Sequence, residues 1–207
     1  MPKRPGETSY KETAFGVIPR SALIRLEVEG IARAWTYVLK MTKPGTRITP
    51  EHLQHLHRIG FGWIFPDTAG RFRRVEVEVS AHQPPAFYRV PQQMVDFCED
   101  LKERLKHLSS IDEPSFLDSL VDLLSWTHHR FLWIHPFLDY NGRIARLLTN
   151  VILLKLGLPP IELNVETTQG RLKYIRALQA GDVGDMKPLQ KLIRRAIDEA
   201  VAELQNI

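Results

Sequence analysis

The sequence predicts a mostly helical domain carrying one β-hairpin. Three observations lead there. Apolar residues recur at helical spacing through most of the chain from Ser21 onward, and strand-like alternation is confined to residues 73–90. No repeat, linker or low-complexity tract interrupts residues 20–205. A chain of 207 residues is long enough to close one sizeable core, and 43% hydrophobic with 25% charged residues excludes disorder over its whole length. The expected organisation is a loose arm over residues 1–14 and a single domain over 15–207.

The elements follow in order. Ser21 is a candidate cap for a helix in which Leu23, Leu26, Ile31 and Trp35 recur at roughly helical spacing. Thr49 reads as an N-cap with Pro50 in the first helical position. Val75, Val77 and Val79 alternate with Glu76 and Glu78, and a short run from Ala86 to Val90 follows the Pro84–Pro85 loop, so residues 73–90 read as the hairpin. Met94, Phe97, Leu101 and Leu105 mark the next helix, and Pro114 opens another, rich enough in Leu, Phe and Trp to be the buried centre. A break at residues 135–142 precedes a strongly apolar helix ended by Gly157 and Pro159–Pro160. Two further helices complete the chain.

Several function classes are disfavoured. The single cysteine, Cys98, forms no intrachain disulfide and is expected to pack within its helix, which fits a reducing, cytoplasmic setting; delivery into another cell is equally open. The N-terminus has no apolar signal region, and the longest apolar stretch, Val151 to Leu158, is broken by Lys155 and Gly157, so no membrane partner is expected. A net charge of +4 permits anionic ligands, but Arg194–Arg195 and the N-terminal arm make no continuous basic stripe with interleaved aromatics, so nucleic acid is not an expected partner. His52, His55 and His57 read as helix-face residues, since no Cys or carboxylate completes a metal site at ligand spacing. His128 and His129 read as core or neighbours of the loop that follows.

Chemistry concentrates in His135-Pro136-Phe137-Leu138-Asp139-Tyr140-Asn141-Gly142-Arg143-Ile144-Ala145-Arg146. Pro136 holds His135 off the preceding helix, and Asn141–Gly142 reads as the start of the next one. Arg143 and Arg146 then fall in the first turn, where the helix dipole is positive and disfavours cations. A bound polyphosphate reverses that sign, because free N–H groups and two guanidinium forks converge on one anion. Asp139 beside a phosphate calls for a cation between them, the usual Mg²⁺ arrangement of one carboxylate plus phosphate oxygens. His135 has the ordinary pKa of a base for an attacking hydroxyl.

These residues resemble the signature of the Fic family, H-P-F-x-D-G-N-G-R-x-x-R, at eight of nine specified positions. The resemblance extends to residues 61–73, to residues 74–90 as the family's flap, and to residues 171–182, covering roughly residues 20–195. It implies an α-helical fold and transfer of AMP from ATP, with Mg²⁺, to a Ser, Thr or Tyr hydroxyl of a target protein. By that resemblance His135 is the base and Asp139 the Mg²⁺ ligand. Phe137 anchors the loop, Asn141, Gly142 and Arg143 cradle the α- and β-phosphates, and Arg146 holds the γ-phosphate. Tyr174 lines the adenine pocket or is a core residue. The 73–90 hairpin is open to two readings, an edge that pairs with an extended target segment by strand addition and an ordinary hairpin covering the core, and a homodimer stays open.

Two departures bear on activity. Arg25-Leu26-Glu27-Val28-Glu29-Gly30 matches the family's inhibitory-helix form [S/T]-x-x-x-E-[G/N] at Glu29 and Gly30 but not at Arg25, and the expectation is that Glu29 pairs with Arg146 and restrains ATP use. Tyr140 stands where the family has Gly. If that position needs a positive φ, Tyr costs on the order of 1–2 kcal/mol. Three readings stay open: an adenylyltransferase restrained by Glu29; a related enzyme with an altered donor or AMP-removing activity; and a catalytically silent interaction module.

Overall fold

The computed structural model describes residues 10–43, 45–79 and 82–205. A short antiparallel hairpin opens it, β1 (Tyr10–Thr13) with β2 (Gly16–Pro19), Tyr10 opposite Pro19 and Thr13 opposite Gly16. Seven helices follow: α1 (Arg20–Met41), α2 (Pro50–Phe61), α3 (Val90–Lys106), α4 (Phe116–Ile134), α5 (Asn141–Lys155), α6 (Thr168–Asp182) and α7 (Lys187–Gln205). The expected mostly helical fold is therefore found, but its hairpin is elsewhere in the chain.

The described part of the expected loose arm, Tyr10 to Thr13, is strand β1, stabilised where Gly16 turns the chain at φ 81° and Thr13 Oγ1 donates to the Gly16 carbonyl at 2.8 Å. Residues 1–9 of that arm lie outside the described residues. The expected hairpin at 73–90 is not one. Among the described residues its arms meet in a single bridge, Val79 with His82, and residues 87–89 form a 3-10 turn leading into α3. Pro84 and Pro85 offer no N–H to a ladder, and the carbonyls of Val75 and Pro85 are taken instead by the Arg73 guanidinium.

Helix α4 is the centre, packed by α3, α5, α6 and α7, while α1 lies across α2 and α5. Local signals set several ends. Thr49 Oγ1 accepts the His52 N–H at 3.3 Å ahead of Pro50, and Gly157, at φ 74°, lets Leu158 N–H reach back to the Leu153 carbonyl at 2.9 Å. Ser21 is no cap: α1 starts one residue earlier, behind Pro19.

The buried stripe of α1 is Leu23, Glu27, Gly30, Ala34, Val38 and Met41. Leu26, Ile31 and Trp35 lie to one side of it, half-buried. Small residues decide that rotation. At Gly30 an added Cβ would stand 2.2 Å from the Gly60 carbonyl oxygen, so α1 and α2 cross backbone to backbone there.

Candidate active site

The loop between α4 and α5 is held from four directions. Phe137 is fully buried, with the His57 ring 4.0 Å and the Phe72 ring 5.7 Å from its own. Asn141 closes the loop on itself: its Oδ1 accepts Phe137 N–H at 2.9 Å and its Nδ2 donates to Phe137 O at 2.8 Å. The buried Asn141 amide is thus committed to loop shape, and what Asn141 can offer an anion is its backbone. The residue behind the first turn of α5 is Tyr140 rather than Asn141.

His57, expected on a helix face, is buried and fixes the loop from α2. Gly70 N–H donates to its Nδ1 at 2.9 Å, so the proton sits on Nε2 and is donated to the Asp139 carbonyl at 3.1 Å. Burial pushes this imidazole down to about 4, consistent with a neutral ring.

His135 sits at φ 50° and ψ 60°, one of two non-glycine residues with positive φ among the described residues. Its Nδ1 faces the Leu132 carbonyl at 3.4 Å, which places the proton there and leaves Nε2 as the basic nitrogen. Burial, seconded by the nearby Arg73 cation, pushes the imidazole down to about 4. At neutral pH His135 is therefore a free base.

The N–H groups of Asn141 and Gly142 open α5 without an intrahelical acceptor, while Arg143 N–H already meets Tyr140 O at 3.0 Å. Gly142 keeps that end bare. A Cβ there would make only ordinary contact, 3.6 Å from Arg146 Nη1, so packing does not demand glycine even though glycine costs about 1 kcal/mol in a helix. Arg143 and Arg146 line a groove of about 710 Å³ between α1, α5 and α7. The His135 imidazole, the bare helix N-terminus and the two arginines thus follow one another along the loop and the first turns of α5.

Comparison with known proteins gives the family. Residues 47–153, more than half of the chain, match the Fic/DOC family. The chain belongs to this family. It is 32% identical over 191 residues to a protein named protein adenylyltransferase Fic from Nematostella vectensis, covering 92% of this chain and 42% of the relative. A protein of the same name from Drosophila virilis is 31% identical over 185 residues, covering 89% and 36%. The chain thus spans less than half the length of these curated relatives. Among solved structures, Fic-1 from C. elegans superposes with a TM-score of 0.69 at 26% identity, over 87% of this chain and 52% of that one. A BepC protein from Bartonella tribocorum, solved with bound AMPPNP, shares the fold with a TM-score of 0.64 at 16% identity over 93% and 94%.

Within this Fic fold the departure at Tyr140 has a defined place. Tyr140 takes φ 61°, so the glycine-like backbone is kept at the strain cost expected of Tyr. Its ring stacks on Phe61 at 4.0 Å and 9°, and its hydroxyl donates to Glu27 Oε1 at 2.9 Å. The ring is packed against α2 and its hydroxyl reaches α1.

The expected Glu29–Arg146 contact is not made. Glu29 is exposed and accepts Arg33 Nε at 3.0 Å, one turn along its own helix. Gly30 serves the crossing with α2. The carboxylate that enters the site is Glu27, whose side chain is fully buried; it takes Arg143 Nη2 at 2.6 Å, Arg20 Nη1 at 2.6 Å and the Tyr140 hydroxyl. Its signal in the sequence is its place four residues after Leu23 on the buried stripe.

Tyr174 is a core residue. Its hydroxyl meets His128 Nε2 at 2.6 Å, while burial pushes the phenol up to about 12. Arg73, which no motif singled out, is buried against the loop, with Nε donating to the His135 carbonyl at 2.9 Å.

Asp139 is half exposed, bonded by Lys11 Nζ from β1, and its Oδ1 accepts Tyr140 N–H at 2.9 Å. No cluster of three or more His, Cys, Asp or Glu side chains that could hold a metal occurs among the described residues. A lone accessible carboxylate that already attracts a cation, beside a helix N-terminus, fits Mg²⁺ where phosphates supply further oxygens. No helix among the described residues is long and apolar enough to cross a membrane.

Proposed function

We propose that this chain transfers AMP from ATP to a Ser, Thr or Tyr hydroxyl of a target protein. The observation that carries the reading is the neutral His135 imidazole on the same loop as the bare N-terminus of α5, in a chain of this family. His135 Nε2 takes the proton of the target hydroxyl as its oxygen attacks the α-phosphorus. The new O–P bond forms while the bond to the bridging oxygen between the α- and β-phosphorus breaks, and pyrophosphate leaves. The N–H groups of Asn141 and Gly142 and the guanidinium of Arg143 meet the α- and β-phosphates, and Arg146 meets the γ-phosphate. Asp139 would hold Mg²⁺, which would offset phosphate charge; Lys11 has to release that carboxylate first. The target lies along residues 73–90, where Val75, Phe87 and Tyr88 are exposed.

The restraint in this reading is Glu27, not Glu29, because Glu27 already occupies the Arg143 guanidinium that the phosphates need. The packing of Tyr140 on Phe61 supports a working loop over an altered-donor or silent variant, since the positive φ of that position is kept while the ring lies against α2.

The test is to incubate the wild type, Glu27→Gln and Glu27→Gln/His135→Ala with α-labelled ATP and Mg²⁺, alone and with cell lysate. Label on protein that is stronger in Glu27→Gln and lost with His135→Ala is the expected result. No label in any of them, with no ATP binding by calorimetry, overturns the reading in favour of an interaction module.

A further inference from the structure

Helix α4 ends at Ile134, and its last carbonyls need donors from elsewhere, since no basic residue stands in its own last turn. Leu132 O is met by His135 Nδ1, and the donors to the carbonyls from Trp133 to Pro136 come from one segment, residues 73–82. His82 Nε2 donates to Trp133 O at 2.9 Å, Arg73 Nη2 to Ile134 O at 3.4 Å, Arg73 Nε to His135 O at 2.9 Å, and the Arg73 backbone N–H to Pro136 O at 2.9 Å.

The remaining donors of Arg73 reach along its own stretch of chain as far as Pro85. Nη1 donates to Val75 O at 3.1 Å and lies 3.6 Å from Glu76 Oε2, and Nη2 also donates to Pro85 O. A guanidinium has five N–H groups in a planar fork, and here five acceptors surround them. The side chain has no exposed surface. A cation at the end of a helix also meets the negative end of its dipole. One buried side chain therefore joins both arms of the 73–86 segment to the backbone of His135, whose left-handed conformation needs outside support.

We infer that Arg73 is a positioning residue for His135, coupling the segment along which a target would dock to the placement of the base. This rests on the reading of His135 as the base. The chemistry of the clamp requires arginine: lysine brings the same charge but three donors on a flexible stem, and cannot serve five acceptors in a plane. Arg73 touches no reacting atom; it acts through the carbonyl of His135.

Two measurements test it. In the wild type, hydrogen exchange followed by NMR should show the Arg73 Nε–H and the His135 amide, which is bonded to Phe131 O at 3.1 Å, protected to the level of the α4 interior. Fast exchange of Arg73 Nε–H overturns the clamp, whatever any variant does. In Arg73→Lys, His135 amide exchange should quicken by roughly tenfold or more while α4 interior amides hold. The kcat for AMP transfer should fall by about 100-fold with KM for ATP little changed, because misplacing the base leaves the phosphate cradle on α5 intact. A folded Arg73→Lys protein with wild-type kcat and wild-type His135 exchange overturns the inference. If the wild type transfers no AMP, the proposed function falls, and the clamp stands or falls on the exchange data alone.

Discussion

The hydroxyl of Tyr140 donates to the buried carboxylate of Glu27 at 2.9 Å, across 113 residues of sequence. The residue that departs from the Fic loop signature is thereby tied to the carboxylate that occupies Arg143. Two features that look independent in the sequence form one hydrogen-bonded unit.

Tyr140→Phe keeps the stacking on Phe61 and removes only that bond, and Glu27 still holds two arginines. The expected loss is about 1 kcal/mol in urea denaturation. Tyr140→Gly relieves the positive-φ strain of about 1–2 kcal/mol but gives up that bond and the burial of an aromatic ring worth about 2–3 kcal/mol, so a net loss near about 2 kcal/mol is expected. A loss above 4 kcal/mol for either variant would mean that the Glu27 cluster depends on this hydroxyl.

Glu27 and Glu29 should separate cleanly. Glu29→Ala removes an exposed i,i+4 pair and should change stability by less than about 0.5 kcal/mol, with ATP affinity unaltered in calorimetry. Glu27→Gln leaves Arg20 and Arg143 without their counter-charge, and since both guanidiniums reach solvent a loss of roughly 1–3 kcal/mol is expected. ATP should nevertheless bind more tightly to the folded fraction. Tighter binding in Glu29→Ala instead would assign the restraint to Glu29.

The two glycines at the α1–α2 crossing are not equivalent. Gly30→Ala drives a methyl into the Gly60 carbonyl and should cost about 1–3 kcal/mol or more as the helices separate. Gly60→Ala meets its nearest neighbours at 3.4 and 3.6 Å and gains helix propensity, so it should be neutral or slightly stabilising. Paired thermal melts give the comparison, and equal shifts would rule out the backbone crossing.

His128 predicts a pH dependence. Thr149 Oγ1 donates to the Ala145 carbonyl, so it accepts from His128 Nδ1, and His128 Nε2 is left to accept the Tyr174 hydroxyl. Burial first, then the charges of Arg146 and His129, push this imidazole down to about 3, against an ordinary 6.5. Between those values the unfolded chain holds a proton that the folded chain does not. Stability therefore rises with pH through that window, by up to about 1.4 kcal/mol per pH unit from this residue, and levels off above 6.5. The urea midpoint should be lower at pH 5 than at pH 7; equal midpoints would mean His128 is protonated in the fold.

His135 sets the acid limb of the proposed reaction. With its imidazole pushed down to about 4 by burial, it remains a free base through the neutral range. The transfer rate should hold as pH falls from 7 and decline only as it approaches that value. A decline centred near 6.5 in a pH–rate profile would place His135 in contact with water.

Local patterns were legible in the sequence. Thr49 with Pro50 starts α2, Gly157 ends α5, and the run from His135 to Arg146 announces a loop with a base, a carboxylate and paired arginines, because caps, turns and motifs depend on neighbours a few residues apart. The hairpin was misplaced because alternation at Val75, Val77 and Val79 reports a half-exposed extended run, while pairing also needs N–H groups on the other arm, which Pro84 and Pro85 lack.

Tertiary structure decided the rest. Glu27 and Glu29 stand two residues apart, roughly 200° around a helix, and only the packing of Gly30 onto Gly60 turns Glu27 to Arg143 and Glu29 to solvent. Arg73 reaches a carbonyl 62 residues away, and no local pattern marks a side chain whose partners are backbone atoms of other segments. The sequence by itself determined which chemical groups this protein carries and which short segment gathers them. Which carboxylate meets which arginine, and what holds the base, followed from how the helices rotate and cross, because those contacts depend on close packing between distant parts of the chain.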